Sequence, residues 1–165
     1  MCNYSKVRKR FGIICSMNEA QKPNPALAPL GIFIGKWKTE GKHPYFPDKT
    51  FHGRAVFEWI EGGAFLVCRT ETTEPEIPSG ISIFGSDDKT GNFYILYFDE
   101  RGVSRKIDFT IVGNVLRWSR ETPEFSQHMT LTMSADGNTI ESKGEMSRDG
   151  GAWESDLHLT YTREH

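Results

Sequence analysis

An aspartate and a histidine, Asp156 and His158, stand two positions apart in the last alternating segment of the chain. Because side chains two apart on a strand point to the same face, this spacing predicts a carboxylate beside an imidazole. Such a carboxylate can orient a metal-ligating or general-base histidine, but a solvated pair on a terminal strand gives the same pattern. No H-x-H or H-E-x-x-H run adds further ligands, so the sequence predicts no additional metal site.

Further polar side chains alternate with aromatic ones in the segment 51–60. His52, Arg54 and Glu58 lie on one face of this predicted strand, opposite an aromatic face that includes Phe57. Barrels that hold amphipathic ligands place a few polar groups among apolar ones, because a buried carboxylate or carbonyl needs a partner. A solvated outer face produces the same alternation, and strand parity does not decide between the two. Residues of the same kind on other predicted strands are Arg69, Tyr97, Arg117 and His128.

The sequence carries no motif for nucleophilic catalysis. There is no G-x-S-x-G elbow, and Gly85-Ser86-Asp87 has the composition of an ordinary turn. Cys68 lies in the middle of an apolar strand, where a small core residue is expected rather than a reactive thiolate. We therefore expect no catalytic residues and favour a binding protein over an enzyme.

Composition argues against several classes of partner. The formal net charge is −2 and the aromatic residues have no accompanying basic stripe, so a nucleic acid partner is not expected. No apolar run approaches the roughly 18 residues of a membrane span, and no membrane partner is expected. Cys2, Cys15 and Cys68 form no C-x-x-C pair, so neither a disulfide framework nor a zinc site is predicted. A reducing cytoplasm is the expected location.

The beginning of the chain differs from the remainder. Residues 1–16 contain four basic side chains and no acidic one, and their apolar patch spans only residues 11–15. That patch is shorter than the roughly 7–15 apolar residues, followed by a cleavage site, of a secretory signal. We expect residues 1–24 to form a flexible basic leader and linker, and residues 25–165 to form a single barrel domain.

The candidate side chains must be positioned by a series of roughly ten short strands. Alternating segments follow one another at near-regular spacing, separated by turns such as 136–138, Asp-Gly-Asn. No long segment with a helical period interrupts them, so the sheet is predicted to be antiparallel. A short helix is predicted over residues 25–33, because proline suits a first helical turn. The fold prediction is all-β, an antiparallel up-and-down barrel of about 8–10 strands with a short N-terminal helix.

One predicted strand, residues 93–98, is apolar on both faces. A sheet with a solvated outer face should instead alternate between apolar and polar side chains. An outer apolar face is covered either by another segment or by a partner subunit, and we expect a homodimer.

Three motifs together resemble the calycin superfamily of β-barrels: residues 35–41 around Gly-Lys-Trp, residues 57–67, and residues 159–163. The chain looks most like a family of small bacterial barrels of unknown function, similar to the haem-binding β-barrel protein nitrobindin. More distantly, it is similar to lipocalins and fatty-acid-binding proteins. The resemblance covers residues 27–163 and implies a calycin-like barrel.

The resemblance also implies roles for residues of the first and last strands. Trp37 is expected to be covered by Arg163, a structural closure whose cation–π contact is worth roughly 0.5–2 kcal/mol. Haem binding with His158 as the axial ligand is the implied alternative function. Alternation with Leu157 and Tyr161 points His158 outward if those side chains fill the barrel, unless a β-bulge shifts the register.

The sequence thus favours binding of a small, mainly apolar molecule in the barrel interior, without a cofactor. Haem binding through His158 is one alternative. A barrel enzyme that uses polar interior residues for proton transfer on an apolar substrate is another. The candidate ligand-binding residues of the interior are His52, Arg54, Glu58, Arg69, Tyr97, Arg117 and His128.

Overall fold

The computed structural model describes residues 23–165. These residues form ten β-strands, a 3₁₀ helix before the first strand and a single 3₁₀ turn after the second. The 3₁₀ helix is Pro25–Phe33 and the turn is Glu61–Gly63. The strands are β1 (Gly35–Lys42), β2 (Phe51–Ile60), β3 (Phe65–Thr72), β4 (Gly80–Ser86), β5 (Phe93–Asp99), β6 (Ser104–Val112), β7 (Val115–Arg120), β8 (Phe125–Met133), β9 (Thr139–Arg148) and β10 (Glu154–Glu164).

Each strand pairs antiparallel with its neighbours in the sequence, and β1 also pairs with β10 to close the barrel. Glycines with positive φ supply the tight connections, as at Gly113 (φ 60°) and Gly137 (φ 73°). The predicted all-β, antiparallel, up-and-down barrel is therefore confirmed, with ten strands. None of the helices within residues 23–165 is long and apolar enough to cross a membrane.

The N-terminal helix plugs the end of the barrel at which β1 begins. Leu27, Leu30 and Phe33 are fully buried and belong to the main hydrophobic core. The helix is of the 3₁₀ type and contains Pro29, a residue that is disfavoured in the interior of an α-helix because its ring clashes with the preceding turn. Asn24 caps its first turn by accepting a hydrogen bond from the N–H of Ala26, 3.1 Å away.

The closure residues lie at this plugged end. Trp37 is fully buried, and its Nε1–H donates to the carbonyl of Phe33 at 2.9 Å. The Arg163 guanidinium lies over the indole, 4.1 Å from the ring centroid, and donates to the carbonyl of Ile34 at 2.6 Å. Gly35 has a φ of 131°, and a Cβ there would lie 2.7 Å from the Arg163 Nη1. The glycine is needed because the guanidinium occupies the space of a side chain.

A β-bulge near the start of β10 changes the faces of two residues singled out in the sequence. Ser155 pairs with Glu145 and His158 pairs with Lys143, so two residues of β10 oppose Gly144. Asp156 is consequently only 6% exposed, whereas His158 is exposed. The interpretation that Asp156 and His158 share one face is wrong, because the bulge breaks the alternation between them.

The predicted leader lies almost entirely outside the described residues. Of residues 1–24, the structure describes Pro23 and Asn24. The Asn24 N–H donates to the carbonyl of Gly63 at 3.0 Å, and its side-chain amide donates to the Ser86 hydroxyl at 2.9 Å. These two hydrogen bonds attach Asn24 to the barrel.

Candidate functional site

The barrel encloses a cavity of about 530 Å³ on the side of the core away from the plug. This volume lies within the range of roughly 300–1,000 Å³ that is typical of small-molecule sites. Inward-pointing apolar side chains from nearly every strand form its wall. They include Phe57, Cys68, Phe84, Ile95, Ile107, Leu116, Trp118, Met129, Leu131, Leu159 and Tyr161.

Two of these wall residues carry groups that ionise only at high pH. Burial raises the pKa of the Cys68 thiol, so the thiol is neutral and inert at physiological pH. Burial also raises the pKa of the Tyr161 phenol. Both side chains therefore contribute uncharged surface to the cavity.

Loops at the end opposite the plug form the mouth. Tyr45 and Phe46, from the connection between β1 and β2, border the cavity. The Phe46 ring meets Phe51 edge-on, with centroids 5.7 Å apart. The Arg148 guanidinium lies over both Tyr45 and Phe125, at 5.7 and 5.1 Å from the ring centroids. Tyr45, Phe46 and Phe125 thus form an aromatic rim at the opening, and the Arg148 guanidinium contacts two of its rings.

A belt of polar side chains lies between the apolar wall and this rim. We define the polar belt as Tyr97, Arg105, Gln127, Asp156 and His43, all of which border the cavity. The Gln127 amide links two of them: its Nε2 donates to Asp156 Oδ2 at 2.8 Å, and its Oε1 lies 3.4 Å from Arg105 Nη1. His43 Nε2 lies 3.0 Å from the other carboxylate oxygen of Asp156.

The hydrogen bonds of His43 define its role. The N–H of Tyr45 donates to His43 Nδ1 at 3.1 Å, so Nδ1 is an acceptor and the proton is assigned to Nε2, which donates to Asp156. With both ring nitrogens engaged, His43 positions the loop between β1 and β2 and has no free nitrogen for proton transfer. Within residues 23–165, no three acidic, histidine or cysteine side chains come close enough together to hold a metal.

Tyr97 is fixed by a second cluster, on the β5 side of the mouth. Its hydroxyl donates to Asp99 Oδ2 at 2.9 Å, and Arg101 Nη2 donates to the same oxygen at 2.7 Å. The Arg101 hydrogen bonds hold the pKa of Asp99 well below its usual range. Burial, followed by the bond to Asp99, raises the pKa of Tyr97 to about 12. The phenol is therefore a neutral polar group at the cavity wall.

The structure places most of the sequence-predicted interior residues on the outer face of the barrel. Glu58 and Arg69 form an exposed ion pair at 2.5 Å across β2 and β3. Arg117 is exposed, and His128 stacks on Trp153 with ring centroids 3.9 Å apart. These predictions are wrong for a common reason: polar side chains took the solvent face while their apolar neighbours took the interior.

His52 and Arg54 occupy a similar position. Both residues border the cavity, but their side chains are 56% and 66% exposed and contact Glu74 and Glu164 respectively. They therefore present their charges to solvent. Of the seven predicted interior residues, Tyr97 is the one that belongs to the polar belt.

His158, the axial ligand in the haem alternative, is exposed, and its Nε2 lies 3.1 Å from the Ser155 hydroxyl. From the outer face its ring cannot reach an iron inside the barrel. The residues of this chain do not fit an interior haem ligated by His158.

Sequence reasoning placed only Tyr97 of the polar belt inside the barrel. It considered Asp156 as a neighbour of His158 and did not single out Arg105, Gln127 or His43. Arg105 shares parity with Ile107 and Phe109 of β6, and Gln127 shares parity with Met129 and other apolar residues of β8. A search for polar residues on the apolar face of a strand would have found both. His43 lies in a loop, and Asp156 turns inward at the bulge, so no periodic signal marks either residue.

The described residues thus form a closed ten-stranded antiparallel β-barrel with one plugged end. Its apolar cavity is bordered by the polar belt and opens through the aromatic rim, so the chain is a β-barrel protein with an interior cavity. The chain belongs to the family described as "Protein of unknown function (DUF1579)", whose family profile matches residues 22–163. Among solved structures, the chain is similar to the crystal structure of Rv2717c from M. tuberculosis, with a TM-score of 0.62 and 16% sequence identity. That match covers 87% of this chain and 100% of the other, and at this identity it shows the fold alone. No curated protein matches the sequence.

Proposed function

We propose that the barrel binds a small, mainly apolar molecule in its interior cavity. The observation that carries the proposal is the cavity itself: about 530 Å³, walled by aliphatic and aromatic side chains and open toward a rim of aromatic rings. Apolar surface removed from water in such a space is worth roughly 25 cal/mol per Å², so burial of the apolar part of a ligand there favours binding.

Two further features support binding rather than catalysis. The polar belt contains His43, but both ring nitrogens are already engaged, by Tyr45 and Asp156. Cys68 is buried and its raised pKa keeps it in the thiol form. The motifs that resemble calycin barrels support the same function. A cytoplasmic location remains our expectation.

A cavity-filling substitution tests the proposal. Ser82 on β4 is half-buried and borders the cavity, whereas its neighbour Ile81 is 40% exposed on the outer face. Ser82→Trp should fill the space and abolish binding of the neutral apolar dye N-phenyl-1-naphthylamine, measured by fluorescence titration. Ile81→Trp is the matched control and should bind as the wild type does.

Native mass spectrometry of protein purified from its own host supplies the second measurement. We expect a retained small molecule in the wild type and in Ile81→Trp, and none in Ser82→Trp. Equal dye affinity in all three folded proteins, with no retained molecule in any, would contradict interior binding. Circular dichroism establishes that each variant is folded.

A further inference from the structure

Arg105 is a partly buried cation at the wall of the cavity. In the described part of the chain it forms no ion pair. Its contact is a 3.4 Å approach of Nη1 to the Gln127 amide oxygen. A guanidinium has five N–H donors, so most of its hydrogen-bonding capacity is unused by these contacts.

The nearby carboxylates are engaged elsewhere. Asp99 accepts from Tyr97 and Arg101, and Asp156 accepts from Gln127 and pairs with His43. Neither aspartate forms an ion pair with Arg105 among the described residues. Burial and the positive charge of Arg120 both lower the pKa of Arg105, which means that its surroundings disfavour the charged form.

An anion bound inside the cavity would pair with the Arg105 guanidinium and use its free N–H donors. A buried charge is stabilised when it is paired and hydrogen-bonded, and a guanidinium fork matches the two oxygens of a planar carboxylate. Arg148 at the rim adds positive potential where a ligand enters. The carboxylate of Asp156, on the same belt, disfavours a head group with two negative charges.

We propose that the ligand is an amphipathic monoanion, whose carboxylate pairs with Arg105 while its apolar tail lies against the deeper wall formed by residues such as Phe84 and Ile107. This inference rests on the proposed binding function and names the chemical class of the ligand. The polar belt lies between the apolar wall and the mouth, so a head group held there leaves the tail in the apolar part of the cavity.

Three ligands with the same ten-carbon chain test the head-group preference: decanoate, 1-decanol and decyltrimethylammonium. Isothermal titration calorimetry below their micelle concentrations should show decanoate binding at least tenfold more tightly than decanol, a difference of about 1.4 kcal/mol. The cationic ligand should bind more weakly than decanol. Arg105→Gln should reduce decanoate affinity to the level of decanol and leave decanol affinity unchanged.

Arg117→Gln is the matched control, because it removes the same charge from the outer face of the neighbouring strand. It should bind decanoate as the wild type does. Decanol binding as tight as decanoate in the wild type, or a preference for decanoate that survives in Arg105→Gln, would overturn the inference while leaving interior binding intact. Failure of all three ligands to bind would instead contradict the proposed function.

Discussion

Trp37 joins the N-terminal plug to the barrel, and its replacement should have a large and specific effect. The indole is fully buried, donates to the carbonyl of Phe33 at 2.9 Å, and carries the Arg163 guanidinium on its face. Trp37→Ala removes all three interactions at once. Because Phe33 belongs to the plug, the substitution also loosens the packing of the helix on the barrel.

The expected loss can be separated into parts. Truncating a buried tryptophan to alanine typically costs about 3–5 kcal/mol of unfolding free energy, including the cavity that it leaves. The Phe33 carbonyl loses its donor, which adds roughly 1–3 kcal/mol if water does not reach it. Since these effects overlap, we expect about 4–6 kcal/mol in total, a large share of the roughly 5–15 kcal/mol that stabilises a typical domain. Trp37→Phe keeps most apolar contacts but loses the donor, and should cost only about 1–3 kcal/mol.

Urea unfolding followed by far-UV circular dichroism measures these differences without relying on tryptophan fluorescence. Trp153→Ala is the control, because Trp153 is 44% exposed and should contribute less than about 1 kcal/mol. The expected order of destabilisation is Trp153→Ala, then Trp37→Phe, then Trp37→Ala. A loss below about 1 kcal/mol for Trp37→Ala, with an unchanged m-value, would refute the assignment of Trp37 as the closure residue.

Two further predictions concern pH and assembly. Arg101 lowers the pKa of Asp99 in the folded state, so the stability that Asp99 contributes is present above its unfolded pKa of about 3.9 and lost as pH falls below it. The stability difference between wild type and Asp99→Asn should therefore shrink in urea titrations below about pH 4, and a difference independent of pH would contradict this. Ile81 and Phe98 are paired across β4 and β5, and are 40% and 43% exposed. If this face forms the expected homodimer, Phe98→Lys should convert a dimer into a monomer in sedimentation velocity, and a monomeric wild type would disprove the expectation.

Much of the fold could be predicted from the sequence, because its determinants are local. Alternation of apolar and polar residues marked the strands, and glycine-containing turns such as the one at Gly137 marked their ends. The absence of a helical period left antiparallel pairing as the arrangement for short connections. The proline-rich segment before β1 indicated a short helix because of the restricted backbone of proline.

Only the tertiary structure decided which face of each strand points into the barrel. A period of two separates the side chains of a strand into two sets but does not say which set is inside. In β2 Phe51, Ala55 and Phe57 are buried inside the barrel. The alternate side chains, which include Arg54 and Glu58, therefore lie outside. In β10 one additional residue opposite Gly144 turned Asp156 inward and left His158 outside.

The polar belt depends on contacts between residues that are distant in the sequence. Arg105 and Gln127 are 22 positions apart, and Gln127 and Asp156 are 29 apart, yet their side chains meet at one level of the barrel. That level is set by strand register, by the bulge and by the loop that carries His43. The sequence by itself determined that the chain forms an antiparallel barrel. Barrel closure decided which polar groups face the cavity, because the pairing of distant strands brings those groups together.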